Sequence, residues 1–159
     1  MTSIASGSLS GSSVTLSSIS SSYVNLFLVI RDYYASSNFG LHVVANSITD
    51  YTYVQQYTNS TTSSGSGQYT EIAAASMACH ANLIAGSDNN NFTSVNIYDY
   101  ANSVRKTYVI NSALITSTSI QQSVNNFGGI NMSAAINALT ISTSVGTFSG
   151  GTYILYGVK

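Results

Sequence analysis

The stretch that decides the fold is YVNLFLVIR, Tyr23–Arg31, which is almost continuously apolar. Serines precede it, and the polar-rich segment DYYASSN, residues 32–38, follows it. An apolar run of this length between turn-forming residues is typical of a strand with two covered faces. We therefore predict a β-strand over Tyr23–Arg31 that is buried on both faces.

Alternating or apolar segments on the C-terminal side of that strand predict further strands at short spacing. They are Phe39–Asn46, Tyr51–Tyr57, Tyr69 to about Met77, Phe92–Tyr100, Val104–Asn111, Ala134–Thr143 and Gly151–Val158. Thr58–Gln68 has the composition of a loop, and the residues from Met77 to Gly86 are predicted to be irregular. Roughly eight strands without a helical pattern predict an all-β fold, an antiparallel, jelly-roll-like β-sandwich.

Residues 1–21 differ from the rest of the chain in composition, because they are rich in Ser and Gly with isolated aliphatic side chains. Such a segment buries too little apolar surface to fold alone. We predict an extended N-terminal arm over residues 1–21, either flexible or docked on a neighbour through Ile4, Leu9 and Val14. The jelly-roll-like domain then covers residues 22–159.

The charge content of the chain excludes several classes of partner. Only 6% of its 159 residues are charged, against about 25% in a typical soluble domain, and the net charge is −1. No basic surface is available for nucleic acid, and no polybasic segment for a membrane surface. A surface covered by Ser, Thr and Asn instead suits a chain that is packed into an assembly.

The His and Cys residues of the chain are interpreted as structural. His42 stands alone between apolar neighbours, and Cys79 and His80 are adjacent. Adjacent residues of a strand point to opposite faces, so we expect no thiolate–imidazole pair there. The single cysteine also excludes an internal disulfide.

The acidic residues show no spacing typical of a Ca²⁺ loop or an acid/base pair. They are Asp32, Asp50, Glu71, Asp88 and Asp99. SDNNN, Ser87–Asn91, is predicted to be a polar turn, with a hard cation held by side-chain oxygens as the less favoured alternative. We therefore predict no catalytic residue, no metal site and no cofactor.

Tyrosine is the residue type that most suggests a contact surface, with twelve in the chain. Tyr51, Tyr53 and Tyr57 alternate along one predicted strand and form a row. Tyrosine with Ser and Asn is the composition of many recognition surfaces, since Tyr gives large contact area at low entropy cost. The alternative interpretation is that Tyr is simply a good strand former.

Three segments carry a resemblance to a known family: NLFLVIRDYYAS (25–36), VNIYDYANSVRKTYVI (95–110) and SGGTYILYGVK (149–159). They resemble a family of small tailed-phage virion proteins over about Tyr23–Lys159. That family carries an Asp-Tyr-Ala-Asn-like segment, here Asp99–Asn102, and a final Leu-Tyr-Gly-Ile-Lys-like motif, here Leu155–Lys159. The Asn-Gly-Asp stretch that the family often has after its second strand is replaced here by ANSITDY (45–51).

The resemblance implies a β-sandwich component of a virion, either a capsid decoration (cement) protein or part of a tail fibre. We favour cement, because the short chain lacks the heptads or repeats of a fibre shaft. The expected protein is made in the host cytoplasm and forms a homotrimer on the capsid exterior. It would bridge capsomers by contacting the major capsid protein and itself, without enzymatic activity.

The alternative is a tail-fibre or receptor-binding module in which the tyrosine row contacts a host receptor or glycan. An enzyme that cleaves glycans is disfavoured, because paired carboxylates are missing from the sequence.

Overall fold

The computed structural model describes residues 1–59, 65–83, 90–117 and 120–159. These residues form β-strands joined by turns and loops, without a helix. The strands are β1 (Thr2–Ser8), β2 (Ser13–Leu16), β3 (Asn25–Ala35), β4 (Phe39–Ala45), β5 (Tyr51–Asn59), β6 (Gly65–Ala74), β7 (Met77–Leu83), β8 (Phe92–Ile97), β9 (Lys106–Ser117), β10 (Ile120–Ile130), β11 (Leu139–Thr143) and β12 (Phe148–Val158). Within the described ranges, no helix has the length and apolar character needed to cross a membrane.

The strands form two antiparallel sheets of unequal width. The large sheet has eight strands in the order β1-β12-β3-β8-β9-β10-β5-β6, and the small sheet has four in the order β2-β11-β4-β7. Apolar side chains of the two inner faces form one core, which includes Leu28, Val43, Val95, Ile110 and Ile141. The predicted antiparallel β-sandwich is therefore confirmed, whereas its jelly-roll arrangement is not.

The strand predicted at Tyr23–Arg31 lies inside the large sheet as β3, between β12 and β8. Its inner residues Leu26, Leu28 and Ile30 are completely buried. Phe27 and Val29, on the other face, stay partly exposed, because no described element covers the outer face of the large sheet. The prediction of a strand is confirmed, but the prediction that both faces are buried is wrong.

The C-terminal strand β12 has a neighbour on each side. It pairs with β3, where Leu155 lies opposite Leu28, and with β1, where Tyr153 lies opposite Gly7. Leu155 is completely buried, and the ring of Tyr23 lies against Gly157. The strand predicted at Gly151–Val158 is therefore confirmed, and it belongs to the large sheet.

Residues 1–21 contribute one strand to each sheet. β1 pairs with β12 along the edge of the large sheet, and β2 pairs with β11 along the edge of the small one. Leu9 between these strands, Leu16 at the end of β2 and Ile19 after it are buried in the core. The predicted extended arm is not confirmed, because backbone pairing and these few aliphatic side chains hold the segment in the same domain as residues 22–159.

Several predicted strand boundaries differ from the structure. β7 occupies most of the stretch predicted to be irregular after Met77, and β9 continues beyond Asn111 into a hairpin with β10. The strand predicted at Ala134–Thr143 begins only at Leu139, and the one at Phe92–Tyr100 ends at Ile97. Residues 60–64 of the predicted loop, and residues 84–89 with most of the SDNNN turn, lie outside the described residues.

The segment before β11 remains irregular because side chains satisfy its backbone. The Asn46 side chain donates to the carbonyl of Ala135 at 2.8 Å and accepts from the amides of Asn137 and Ala138 at 2.9 and 3.0 Å. The amide of Ile136 donates to the carbonyl of Tyr100 at 2.9 Å. These bonds replace the ladder of a strand.

Candidate functional site: a tyrosine-lined cleft between the sheets

The predicted tyrosine row lies on the inner face of β5. Tyr51 is completely buried, its hydroxyl accepts from the amide of Ala45 at 2.8 Å, and its ring meets Tyr108 edge to face. Tyr51 is therefore a core residue that is closed to a partner. Tyr53 is 8% exposed and Tyr57 is partly exposed, so access increases along the strand.

The aliphatic residues proposed as contacts lie far from that row. Leu9 is buried in the protein's own core, and Ile4 and Val14 are partly buried and pack against it. β1 and β6 form opposite edges of the large sheet, and β5 lies next to β6. The structure does not bring Ile4, Leu9 and Val14 together with the tyrosines, so the two sets form no common surface.

A cleft opens where the large sheet extends beyond the small one. The edge strand β7 of the small sheet lies over β9 and β10, where Ser112 Oγ donates to the carbonyl of Cys79 at 3.1 Å and Asn126 Nδ2 to that of Ala78 at 2.9 Å. No described strand of the small sheet covers β5 and β6 in the same way. The resulting tyrosine cleft has a volume of about 490 Å³ and is lined by His42, Tyr53, Gln55, Tyr57, Tyr69, Ala78, His80, Gln122, Val124 and Ser144.

Three aromatic rings form one side of the tyrosine cleft. Tyr53 and Tyr69 have ring centroids 6.3 Å apart at an interplanar angle of 47°. The ring of Tyr57 lies across Gly67, where an added Cβ would come within 2.5 Å of the tyrosine hydroxyl. Tyr69 is 48% exposed, and its hydroxyl donates to the Glu71 carboxylate at the rim. The exposure of the three rings thus increases from Tyr53, which is nearly buried, through Tyr57 to Tyr69, which is half-exposed.

Two histidines line the opposite side and are held neutral. His42 Nδ1 lies 2.5 Å from Ser76 Oγ, and burial lowers the pKa of His42 below its usual value. The imidazole of His80 stacks on Tyr33 and meets Phe39 edge to face, with centroids 5.9 and 5.6 Å apart. Burial, followed by the nearby His42, lowers the pKa of His80 to about 3.

The hydrogen-bonding capacity of His80 is unused. Its side chain is completely buried, and neither ring nitrogen has a hydrogen-bond partner among the described residues. Buried polar atoms are nearly always paired in native proteins. Among the residues that line the cleft, His80 therefore has one ring nitrogen that lacks an acceptor and one that lacks a donor.

Cys79 and His80 are both buried, although adjacent residues of a regular strand point to opposite faces. Where β4 pairs with β7, Leu41 lies opposite His80 and His42 lies opposite Ala78. Cys79 has no partner on β4 and is therefore the extra residue of a β-bulge. The Cys79 thiol lies 3.8 Å from the carbonyl of Met77, and burial raises its pKa. No thiolate–imidazole pair forms here, but the reason predicted from strand geometry is wrong.

The acidic residues that the structure describes, and Asn91, show no arrangement typical of a metal centre. No group of three or more His, Cys, Asp or Glu side chains converges in the described parts of the chain. Asn91 is buried and tied to the backbone, donating to the carbonyl of Tyr33 at 2.8 Å and accepting from the amide of Ile115 at 2.9 Å. Its contacts are those of a structural residue that joins β3 and β9.

The segment Asp99–Asn102 forms a turn. Asp99 has a φ of 51°, the amide of Asn102 donates to the carbonyl of Asp99 at 3.1 Å, and Tyr100 is completely buried. Just after the turn, the buried ammonium of Lys106 donates to the carbonyls of Asn102, Val104 and Ser133 at 2.7, 2.6 and 3.2 Å. The motif therefore supports the fold and lies outside the cleft.

Sequence reasoning found Tyr53 and Tyr57 but missed Tyr69, Gln55 and the two histidines as lining residues. Only the pairing of β5 with β6 and the end of the small sheet at β7 bring them together. A search with the chain finds no matching protein-family model and no matching curated protein.

Proposed function

We propose that the protein is a structural protein of a bacteriophage virion, a cement protein on the capsid exterior that assembles as a homotrimer and bridges capsomers. The observation that carries this proposal is a row of apolar side chains across the outer face of the large sheet. We call it the outer row; it consists of Val54, Phe127, Val109, Phe27 and Tyr156.

The outer row follows from strand register. Phe127 lies opposite Val54 on β5 and opposite Val109 on β9, and Phe27 lies opposite Tyr156 on β12. On β8, between Val109 and Phe27, the corresponding position is the polar Asn96, which separates the outer row into two apolar groups. From β5 to β12 the row crosses five interstrand spacings of about 4.8 Å, or roughly 24 Å.

Several side chains of the outer row are open to a partner. Phe127 is 51% exposed, and Phe27 and Tyr156 are partly exposed although their rings stack with centroids 6.1 Å apart. Val29 and Ile154 lie opposite each other in the next row and extend the apolar area. Exposed apolar side chains that cluster on one face of a sheet are typical of a protein–protein interface.

The charge content of the chain supports permanent assembly. With 6% charged residues and a net charge of −1, copies of the chain meet little electrostatic repulsion. The polar remainder, rich in Ser, Thr and Asn, can form hydrogen bonds at the rim of an interface without the desolvation of ions. A protein that strengthens a shell by burying surface needs these properties and needs no active site.

Copy number and location in the particle test this proposal. In purified virions of the phage that encodes the chain, a stained gel should show hundreds of copies per particle. Immunogold labelling should mark the head, and particles without the protein should lose DNA at lower temperature. A few copies per particle, or labelling of the tail, would contradict the cement function and favour a tail-fibre or receptor-binding module.

A further inference from the structure

We propose that the tyrosine cleft binds an uncharged saccharide. The cleft is separate from the outer row, because it lies on the inner face of the large sheet whereas the outer row lies on the outer face. Saccharide binding by the cleft therefore does not depend on the proposed role in assembly, and it is possible whether the protein lies on the head or on the tail of a virion.

The size and rigidity of the cleft suit a small ligand. Its volume of about 490 Å³ lies within the range of about 300–1,000 Å³ that is usual for small-molecule sites. Its walls come from strands of both sheets, and Gly67 allows the Tyr57 ring to lie directly on β6. Rings held in this way form flat, largely preformed surfaces for a ligand.

The chemistry of the lining indicates an uncharged ligand with hydroxyl groups. Gln55, Gln122, Ser144 and the neutral imidazoles can each donate and accept hydrogen bonds. A sugar hydroxyl also does both, so one ligand type can pair with all of these groups. The apolar face of a sugar ring can in turn pack on the tyrosine rings, which are apolar with a polar tip.

Charged ligands fit the cleft poorly. None of the described lining residues is Lys or Arg, so phosphate or carboxylate groups would be desolvated without a counter-ion. Nucleic acid is excluded on the same ground, since its binding depends on neutralised phosphates. The Glu71 carboxylate, which accepts from the Tyr69 hydroxyl, can also accept hydrogen bonds from ligand hydroxyls.

His80 is the second observation that points to a ligand. This completely buried side chain lines the cleft and has two ring nitrogens without a partner among the described residues. A neutral imidazole offers one donor and one acceptor, and a saccharide hydroxyl can pair with either. An aliphatic or purely aromatic ligand would leave this requirement unmet.

Saturation-transfer NMR on the full-length protein tests the proposal with a defined panel. The panel contains glucose, galactose, rhamnose, N-acetylglucosamine and oligosaccharides of each, with heparin and a tyrosine-rich peptide as charged and peptide probes. We expect at least one neutral saccharide to bind and heparin not to bind. Tyrosine fluorescence gives a second readout, because the chain has no tryptophan.

Variants of one half-exposed ring locate the binding. Tyr69→Ala should weaken binding about fivefold to tenfold, as expected for the loss of one aromatic contact, whereas Tyr69→Phe should retain most of it. The matched control is Tyr98→Ala, since Tyr98 is 39% exposed and does not line the cleft. Equal melting temperatures of the variants would show that the fold is intact.

The proposal is overturned if no neutral saccharide binds at about 10 mM, ten times a Kd of about 1 mM. It is also overturned if the peptide or heparin binds while the sugars do not. Weakening by Tyr98→Ala but not by Tyr69→Ala would place a sugar site elsewhere and contradict the assignment.

Discussion

The two ends of the chain are neighbours in the large sheet, yet their sequences have little in common. β1 is polar and carries Ser3 and Ser6 opposite Tyr156 and Ile154 of β12. β12 has two neighbours, β1 and β3, whereas β1 has only β12. An interior strand needs apolar residues on the covered face, but an edge strand can be held mainly by backbone pairing.

This asymmetry predicts that the two ends differ in their contribution to stability. Loss of β12 also releases β1, while loss of β1 leaves β12 paired with β3. The outer row ends at β1 for the same reason, since its apolar side chains give way to serine at the edge of the sheet.

The largest effect is expected from a chain that ends at Thr152. It lacks most of β12, including the buried Leu155, and leaves both β1 and β3 without a partner on that side. Each large buried side chain contributes about 1.5–3 kcal/mol, against a total stability of about 5–15 kcal/mol. The product should aggregate or show no cooperative melting transition, whereas removal of Lys159 alone should leave the melting curve unchanged.

A soluble product ending at Thr152 with a cooperative melt would contradict the interior position of β12.

The second largest effect is expected from deletion of residues 1–21. The deletion removes Leu9, Leu16 and Ile19 from the core, or about 5–9 kcal/mol of apolar burial at 1.5–3 kcal/mol each. Chemical denaturation should show a strongly destabilised domain, with some native β-structure retained because β12 keeps β3. A truncated protein as stable as the full chain would show that the segment is an arm after all.

The next effect is a dependence of stability on pH. The folded-state pKa of His80 is about 3, below the usual value of 6.5, so the unfolded chain binds the proton more readily between these values. The contribution of neutral His80 to the free energy of unfolding is fully present above about pH 6.5, and it is lost as the pH falls toward 3. The full loss is on the order of 4–5 kcal/mol at about 1.4 kcal/mol per pH unit.

The control for this dependence is His80→Phe, which keeps a ring between Tyr33 and Phe39. Denaturation curves of the variant between pH 7 and 4 should have a much weaker slope with pH. Part of the slope should remain, because burial also lowers the pKa of His42. Identical slopes in the variant and the natural protein would refute the assignment to His80.

The smallest effect is expected from Gly157→Ala. A Cβ on Gly157 would come within 2.4 Å of the Tyr23 ring, so the variant should lose about 1–3 kcal/mol through overpacking. Gly65→Ala is the matched control, since no atom of the described residues lies within 4 Å of its added Cβ. The double variant Gly157→Ala/Tyr23→Ala should be less destabilised than the sum of the two single variants, because removal of the ring relieves the clash, and strict additivity would disprove the contact.

The sequence predicts those parts of the fold in which burial leaves an apolar or alternating pattern. β3, β4, β5 and β12 have such patterns and lie close to their predicted positions. β10 carries Gln and Asn at many positions, and β1 is mostly polar, so neither shows a signal of burial. Their formation depends on pairing with strands that are distant in sequence.

The candidate site was less predictable than the fold. Tyr53 and Tyr57 are visible as a row, but whether a row faces the core, a cleft or solvent depends on the width of the opposite sheet. The bulge at Cys79 likewise alters which side chains of β7 are buried, and it follows from the register with β4. The width of a sheet and the register of a strand pair depend on strands that are distant in sequence, so they cannot be predicted from one segment alone.

Sedimentation equilibrium of the purified protein tests most directly the claim that the outer row is an assembly surface. We predict a trimer for the natural chain and a monomer for Phe27→Asp and for Phe127→Asp, which place a charge in the outer row. Val145→Asp is the matched control, because Val145 is 58% exposed and lies outside the row, and it should remain trimeric. A monomeric natural chain, or folded outer-row variants that stay trimeric, would contradict the account.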